Sequence, residues 1–438
     1  MKQLVCSMFV VLICLSSHSQ GSRPLQNLHD YLQTNQPRSL DTTLAVLNYR
    51  PGGNLNYLFP LYQLFREEKK FKASLGDSYY EQLSVAASLT EDYESALQYQ
   101  KLSYKGEVSD VQKRQIAKVL AGFKAIQHVD ARRYISFISR SARVIMINEA
   151  PNKPLHRAFT MSLLEDLYKK GYRYLAMEML NNFSNHELDK LTPLTGQYST
   201  EPVAGELIRT ALDIGYKLVS YEDTLMDQHS ASQRDSIQAV NIYRVIREDS
   251  TAKILVHAGY AHIAEKNLSA DYIPMAMDFK KISGIDPITI DQTDMTEESS
   301  FAYGKYFYES YIQKFPVYSP SVALIDEQPV NVTSSDLYDI SVIHPTTMYR
   351  DSRPTWLALT GRRQPLYIKP PQKDVYLVQA YYQFESLGTK PGQVIPADQT
   401  YMPTNKGNYL LYLKRGKYII LFRDINYKIL KTQHIEVS

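Results

Sequence analysis

The chain has 438 residues, 44% of them hydrophobic and 22% charged, and its formal net charge is +3. That length corresponds to roughly three domains of about 150 residues each, and the composition is that of a folded globular protein, which excludes a disordered chain. With charge nearly balanced and no long run of one sign, neither a basic nucleic-acid stripe nor a polybasic membrane patch is indicated.

Residues 1–19, MKQLVCSMFVVLICLSSHS, combine Lys2, an apolar run from Leu4 to Leu15 and then small residues. This is the pattern of a secretory signal, too short to span a bilayer, and it predicts an exported protein, periplasmic or extracellular. Both cysteines, Cys6 and Cys14, lie inside it. The rest of the chain therefore offers no thiol, and any metal must use nitrogen and oxygen ligands. Cys14 is the candidate for a lipid anchor, although the Val11-Leu12-Ile13 before it lacks the small residue such a site needs. No later stretch is apolar for long enough to cross a membrane. Tyrosine is abundant, 35 residues against 14 Phe and 1 Trp, which suits amphipathic packing and ligand-contact faces.

Residues 20–140 read as helical. In "YYEQLSVAASLTEDYESALQYQKLSY", Tyr80, Leu83, Ala87, Tyr93, Ala96, Leu97 and Tyr99 mark two helix faces around Thr90-Glu91-Asp92. The pair resembles a tetratricopeptide-type hairpin, and a plain helical lead-in fits the same residues. One such unit cannot bury its own face. Its expected role is docking a protein partner.

Residues 141–300 alternate apolar runs with helical segments. "RVIMI" (143–147) leads to Glu149, and a helix follows from Pro154 to Lys170, with Leu155, Phe159, Leu163 and Leu167 on one face and Gly171 placed to stop it. "YRYLAM" (172–177) leads to Glu178. "EPVAGELIRTALDIG" reads as a helix before "YKLVSY" (216–221) and Glu222, and "RDSIQAVNIYRVIRE" as a helix before "AKILVHA" (252–258) and Gly259. A last pair, "DYIPMAMDFKKISG" and "IDPITID", ends on Asp291. Strand, helix, strand, repeated, implies right-handed crossovers and a mainly parallel sheet. Residues 301–340 form an aromatic-rich connector. From 341 to 438 short strand-like runs, "TWLALTG", "DVYLVQAYYQFE", "NYLLYLKRGKYIILFRD" and "KILKTQHIEV", are separated by turn residues and read as a small antiparallel β-sandwich, a spacer or a carbohydrate-facing module.

In an open parallel sheet the ligand crevice lies beyond the carboxyl ends of the strands. If the strands at 143–147 and 172–177 are neighbours, Glu149 and Glu178 share that crevice, with Glu222, His257, His262 and Asp291 at equivalent ends of later strands. Two close carboxylates repel, so one pKa rises or a cation neutralises them. A raised glutamate can act as general base while an imidazole donates a proton. Alternatively Glu149, Glu178 and His262 form an oxygen-and-nitrogen site for a divalent metal. Arg157 and Arg234 can supply cations. Each residue also has a plainer role: a loop polar residue, a core histidine at His257, a turn cap at Asp291.

The stretches "MINEAPNKPLHRAFTMSLLEDLYKKGYRYLAMEML", "YSTEPVAGELIRTALDIGYKLVSYED", "RDSIQAVNIYRVI" and "ILVHAGYAHIAEK" resemble the superfamily of erythromycin esterase, the ChaN haem-binding lipoproteins and the TraB/TIKI proteins. The superfamily pattern is Gly-Glu-x-His after the first strand, a Glu after the second, an Arg, and a late Gly-x-x-His. Glu149 matches the first Glu, Glu178 the second, and "GYAH" supplies Gly259 and His262. Asn148 stands in place of the Gly and Pro151 in place of the first His; His156 is the imidazole next along the chain. With the helical and strand-like regions read above, the expected fold is multidomain: all-α N-terminal helical hairpins, a C-terminal β-sandwich and, as the resemblance implies for the middle of the chain, a central α/β domain of EreA/ChaN type. It also implies an exported hydrolase-like protein acting on an ester or amide through water activated by Glu149 and Glu178, with His262 assisting. Two other readings compete. One is a haem- or iron-binding protein with Tyr260 as axial ligand; the other is a catalytically inactive scaffold whose helical hairpins and sandwich bind partners, whereas an active crevice would take a small-molecule or peptide ligand.

Overall fold

Val144–Ile147, with every residue buried, belongs to a strand covered on both faces, and this strand lies inside the sheet around which the chain is built. The computed structural model describes residues 24–35, 55–104, 106–182, 188–196, 198–299, 304–333 and 336–438. The leader-like segment with Cys6 and Cys14 lies outside them.

Six helices come first: α1 (Pro24–Thr34), α2 (Phe59–Arg66), α3 (Glu68–Leu75), α4 (Ser78–Leu89), α5 (Tyr93–Ser103) and α6 (Asp110–Gly122). The α4–α5 turn falls at Thr90–Glu91–Asp92, where Asp92 caps α5 by accepting from Ser95 N at 3.1 Å. The α/β part follows as β1 (Gln127–Asp130), α7 (Ala131–Ile138), β2 (Val144–Glu149), α8 (Pro154–Lys169), β3 (Tyr174–Met177), α9 (Pro202–Ile214), β4 (Lys217–Ser220), α10 (Ala231–Glu248), β5 (Ile254–Gly259), α11 (Met275–Ser283), β6 (Ile288–Asp291), α12 (Gly304–Lys314), β7 (Ser321–Ile325), β8 (Gln328–Pro329) and β9 (Ile340–Ile343). The helix after β2 ends as its sequence dictates: Gly171 takes φ 92°, a conformation that stops α8. The last strands are β10 (Tyr349–Arg350), β11 (Arg353–Pro354), β12 (Gln364–Ile368), β13 (Leu377–Tyr382), β14 (Asp398–Tyr401), β15 (Tyr409–Leu413), β16 (Gly416–Arg423) and β17 (Ile429–Val437).

The architecture is mixed α/β and multidomain, with a mainly parallel central sheet and antiparallel sheets at the C-terminal end. The central order is β1-β7-β9-β6-β2-β5-β3-β4, with β8 on β7. Pairs from β9 through β4 are parallel, and β1, β7 and β8 add an antiparallel edge. The C-terminal strands pair as β12-β15 and β14-β13-β16-β17, and side chains of both sheets, among them Leu411, Val378 and Ile420, share one apolar core.

Four expectations need correction. Strand β5 enters between β2 and β3, so the strands that end at Glu149 and Glu178 are not neighbours: Ile147 and Met177 both register with His257. The sheet also overruns its expected limits at 141 and 300. It takes β1 from the span read as helical and β7–β9 from the span read as a connector, because Phe307, Tyr308 and Tyr311 of α12 close a core with Ile116 and Leu120 of α6. The helical region is not a separate body: Leu28, Leu61 and Leu83 form one core with Tyr376, Leu377 and Tyr401 of the C-terminal part. Finally, "TWLALTG" forms no strand, since Thr355–Ala358 is a short 3-10 turn.

A buried ion cluster reinforces the second of these contacts. Arg353 donates to Glu91 Oε2 at 2.5 Å and to Asp398 Oδ1 at 2.6 Å, and Arg363 lies 3.1 Å from the same Asp398 oxygen. Removing one member of a buried pair leaves a charge without a partner. Arg353→Met is therefore expected to lower unfolding stability by about 3–5 kcal/mol, read as a shifted urea midpoint, and to expose the 90–104 segment to limited proteolysis first.

Candidate functional site

Side chains alternate along a strand, so neighbouring strand-end residues are divided between the two faces of the sheet. Glu149 turns to the face covered by α8 and α9; Glu178 turns to the face covered by α10 and α11. The rim therefore carries two charge clusters, and each can be built from its own helices.

On the first face Arg157, in the first turn of α8, is fully buried. It donates through Nε and Nη2 to Glu149 at 2.7 and 3.1 Å, through Nη1 to Glu201 at 3.2 Å, and to the Pro151 carbonyl at 3.0 Å. Glu201 in turn caps α9, accepting from Val203 N and Ala204 N at 2.9 and 2.8 Å. Burial pushes the Glu149 carboxyl up, but Arg157 and His257 overcome this and hold its pKa down at about 2. A carboxylate so strongly ionised and only 5% exposed is a poor general base. His257 Nε2 lies 3.0 Å from Glu149 Oε2 without the alignment of a hydrogen bond, and both ring nitrogens are buried without a hydrogen-bond partner. His156 is also buried. Its Nδ1 accepts from Ala150 N at 3.0 Å, and burial, His344, Lys153, Arg157 and His257 push its pKa well below the ordinary value. It braces the loop after β2 and does not reach the rim.

On the second face the groups are partly open to water, with side-chain exposures of 25% for Arg234, 19% for Glu178 and 15% for His262. Helix α10 places them. Ser230 and Gln233 form a capping box at its start, which sets Arg234 and Asp235 in the next turn, aimed at the strand ends. Asp235 is fully buried and takes three donors: His262 Nδ1 at 2.8 Å, Tyr272 OH at 2.9 Å and Met275 N at 2.9 Å. Because a carboxylate only accepts, the His262 proton sits on Nδ1 and the ring is oriented. Nε2 then faces Arg234 Nη1 at 3.3 Å and Glu178 Oε1 at 3.5 Å. A neutral ring can accept from Arg234; a protonated one can donate towards Glu178. Burial alone would lower its pKa, but Glu178 and Asp235 raise it above the ordinary histidine value.

Glu178 is held from below. Its Oε2 accepts from Gly259 N at 2.5 Å and its Oε1 from Arg234 Nη2 at 2.5 Å. A Cβ at position 259 would lie 3.0 Å from Glu178 Oε2, so a side chain there would press on that carboxylate. Glu222 is saturated by Arg234, Gln238 and its own neighbour Asp223 N, and acts as the counter-ion that fixes the guanidinium. Asp291 fills the plainer role: fully buried, it accepts from Thr293 N, Thr293 Oγ1 and Asp294 N and so caps the turn after β6. Asn148 donates to Asp291 Oδ1 at 2.7 Å and to the Tyr260 carbonyl at 2.9 Å and accepts from Gln292 N at 2.8 Å.

The structure thus brings together Glu178, Arg234, His262 and Glu222, and separates Glu149 and Arg157 from them. The ligand set Glu149, Glu178 and His262 is not assembled, and among the described residues no group of three His, Cys, Asp or Glu is placed to hold a metal ion. Tyr260 stands at the rim, but burial, Tyr104, Glu81, Glu149 and Tyr198 push its pKa up, which disfavours the phenolate that an iron ligand would need. Residues that sequence reasoning passed over are Asp235, Glu201, Tyr198 and Tyr272. Asp235 was visible only as the residue beside Arg234 in a capped first turn. Tyr198 is carried by the return loop after β3, pinned where Leu180 bridges Gly196, and its ring lies 6.0 Å from the Arg157 guanidinium.

No family model matches this chain, and no curated protein matches it. Three solved structures show a loose likeness. Two are described as bacterial protein toxins, with 15% and 14% identity and TM-scores of 0.30 and 0.27, covering 63% and 54% of this chain and 66% and 47% of theirs. The third is RRSP, a MARTX toxin effector domain from Vibrio vulnificus CMCP6, with 13% identity and a TM-score of 0.28, covering 63% of each chain. The match spans less than two thirds of each of those chains, and a likeness this loose carries no argument about chemistry.

The Glu149 pair makes a testable statement about acid stability. A folded pKa of about 2 against an ordinary 4.5 means stabilisation that is fully present above pH 4.5 and lost as pH falls from there towards 2, on the order of 3 kcal/mol in all. Glu149→Gln should be less stable than wild type at pH 7, and the gap should shrink on acidification through that window when unfolding is followed by denaturant titration.

Proposed function

We propose that this chain is an exported hydrolase of the erythromycin esterase/ChaN/TIKI type that cleaves an ester or amide at the Glu178–His262 pair. The observation that carries the reading is the orientation of His262: a buried carboxylate fixes Nδ1–H, leaving Nε2 at a partly open rim between an acidic and a cationic group, as general acid–base work requires.

In this reading Glu178 takes a proton from water, and the resulting hydroxide adds to the carbonyl carbon of the substrate. The oxyanion that develops faces Arg234, whose Nη1 is released when His262 is protonated. The imidazolium then gives its proton to the departing oxygen or nitrogen, so that an acid and an alcohol or amine leave. Glu149 is assigned the anchoring of Arg157 and no longer the activation of water. The α4–α5 hairpin is read as tetratricopeptide-like and the C-terminal sheets as a small sandwich, and both act as walls of the catalytic part. Export rests on the pattern of residues 1–19. Among the described residues no helix is long and apolar enough to cross a membrane.

The test is turnover of a panel of ester and amide substrates by the purified protein. His262→Gln should reduce kcat by about 10²–10⁴ while the thermal midpoint stays within a few degrees. As the working form is the imidazolium and its pKa is raised, kcat/KM should hold through pH 6.5 and decline as pH climbs beyond the elevated value. A rate that increases with pH across that range would assign His262 the role of base and exclude this scheme. Turnover unchanged in His262→Gln would remove the reading.

A further inference from the structure

Lys153 stands at the start of α8 and is only 7% exposed. Its Nζ donates to the Glu297 carbonyl at 2.6 Å and the Glu298 carbonyl at 3.0 Å, and among the described residues it forms no ion pair. A buried ammonium without a carboxylate beside it is costly to keep charged. Two backbone carbonyls do not explain the choice, since a neutral amide can hold them as well. The charges acting on the amine are those of Glu297, Glu298, Asp291 and Asp294, all acidic, yet burial outweighs them and brings its pKa down to about 7. The imidazoles that feel it, His156 and His344, are pushed down by burial and add no charge at neutral pH.

The side chain is not sealed in a core. It lines a cleft with about 340 Å³ of free space, part of it open to solvent. Tyr93 and Leu97 of α5 form one wall, Leu155 of α8 a second, and Tyr349 and Trp356 of the C-terminal part a third. The Tyr93 and Trp356 rings lie 4.9 Å apart. Asn152, next to the lysine, donates to Ser84 Oγ at 2.8 Å and to Gln100 Oε1 at 2.5 Å, which fixes the helical wall against the β2–α8 loop. Small-molecule clefts hold about 300–1,000 Å³ and combine apolar and aromatic walls with a few polar groups; a cavity of about 150 Å³ already accepts benzene. Glu297 lines the same cleft, and the acidic residues around the amine disfavour an anionic ligand. A neutral, flat ring matches the walls, and an amine freed of its proton in an apolar cleft is a nucleophile towards carbonyl carbon.

We propose that this cleft takes a small, neutral aromatic aldehyde and that the Lys153 amine condenses with it to an imine. The nitrogen lone pair adds to the carbonyl carbon to give a carbinolamine. The carbonyl oxygen then leaves as water, taking both hydrogens of the amine, and a C=N bond remains. No oxidant or reductant is consumed. The cleft belongs to the α8 side of the sheet, apart from Glu178 and His262, and the inference does not depend on the hydrolase reading.

The experiment treats the folded full chain with benzaldehyde or propanal in the presence of cyanoborohydride, which traps imines as stable amines, and maps the modified lysines by peptide mass spectrometry over time. At pH 7 a surface lysine is unprotonated in fewer than about one molecule in a thousand, so Lys153 should be modified at least tenfold faster than the median lysine. Its rate should level off above pH 7 while those of surface lysines keep rising. Benzaldehyde should outpace propanal at Lys153 and nowhere else, and it should quench tryptophan emission, which in this chain comes from Trp356 alone. Trp356→Leu should slow modification of Lys153 and leave the other lysines unchanged. The map is made on wild type, so the test does not require Lys153→Met to fold. Modification of Lys153 at or below the rate of surface lysines would overturn the inference, and so would equal rates with the two aldehydes.

Discussion

A guanidinium removed from water must find acceptors for its donors, and Arg157 finds them in three separate elements: Glu149 at the end of β2, Pro151 in the following loop and Glu201 at the cap of α9. This requirement sets how the strand, its own helix and the next helix meet. The helical region reaches the same point, since Tyr93 OH lies 3.4 Å from Glu201 and Tyr57 OH donates to the Thr200 carbonyl at 2.6 Å. The C-terminal part grips α9 further along, through Arg209 to Glu385 and to the Ile395 carbonyl. One buried cation therefore lies where three parts of the chain converge. Losing it would strand two carboxylates in a place water cannot reach.

The consequence for chemistry is a division of labour between the faces of the sheet. Carboxylates at successive strand ends look equivalent along the chain, but alternation and strand order send them to different helices. Glu149 meets an arginine shared with Glu201 and the Pro151 carbonyl in a place closed to water; Glu178 meets an arginine shared with Glu222 and a histidine whose Nε2 stands between them at a partly open rim. The first arrangement is symmetric, satisfied and closed. The second leaves a proton position undecided between Arg234 and Glu178, which is the property that acid–base chemistry uses.

Much of the fold could be read from the sequence because local signals were strong. The helix from Pro154 ends at a glycine of positive φ, the turn at Thr90–Asp92 has its cap, and the runs ending at Glu149, Glu178 and Gly259 are strands. What escaped was long-range. Nothing in "AKILVHA" says that it inserts between two earlier strands, because all three are equally apolar and equally buried. The connector was misread for a related reason: its aromatic residues carry no period, and they become a core only when α6 supplies Ile116 and Leu120. At the site, Glu178, Arg234 and His262 were legible as motif positions. Asp235 and Glu201 were not, since a buried carboxylate is told from a surface one by its partners, and those lie 27 and 44 residues away in sequence.

The four residues Gly259-Tyr260-Ala261-His262 show how tightly one turn can be specified when several demands fall on it together. A Cβ at Gly259 would lie 3.0 Å from Glu178 Oε2 and press on that carboxylate. Its N–H donates to that same carboxylate, and the next residue, Tyr260, takes φ 33°, a conformation an L-side chain resists. Asn148, whose side chain a glycine could not replace, supplies the hydrogen bond that keeps the turn there. Two residues later the chain has reversed enough for His262 to meet Asp235 on α10. A Gly at 148 would remove that hydrogen bond and free the turn while leaving Glu178, Arg234 and His262 as the groups the rim presents.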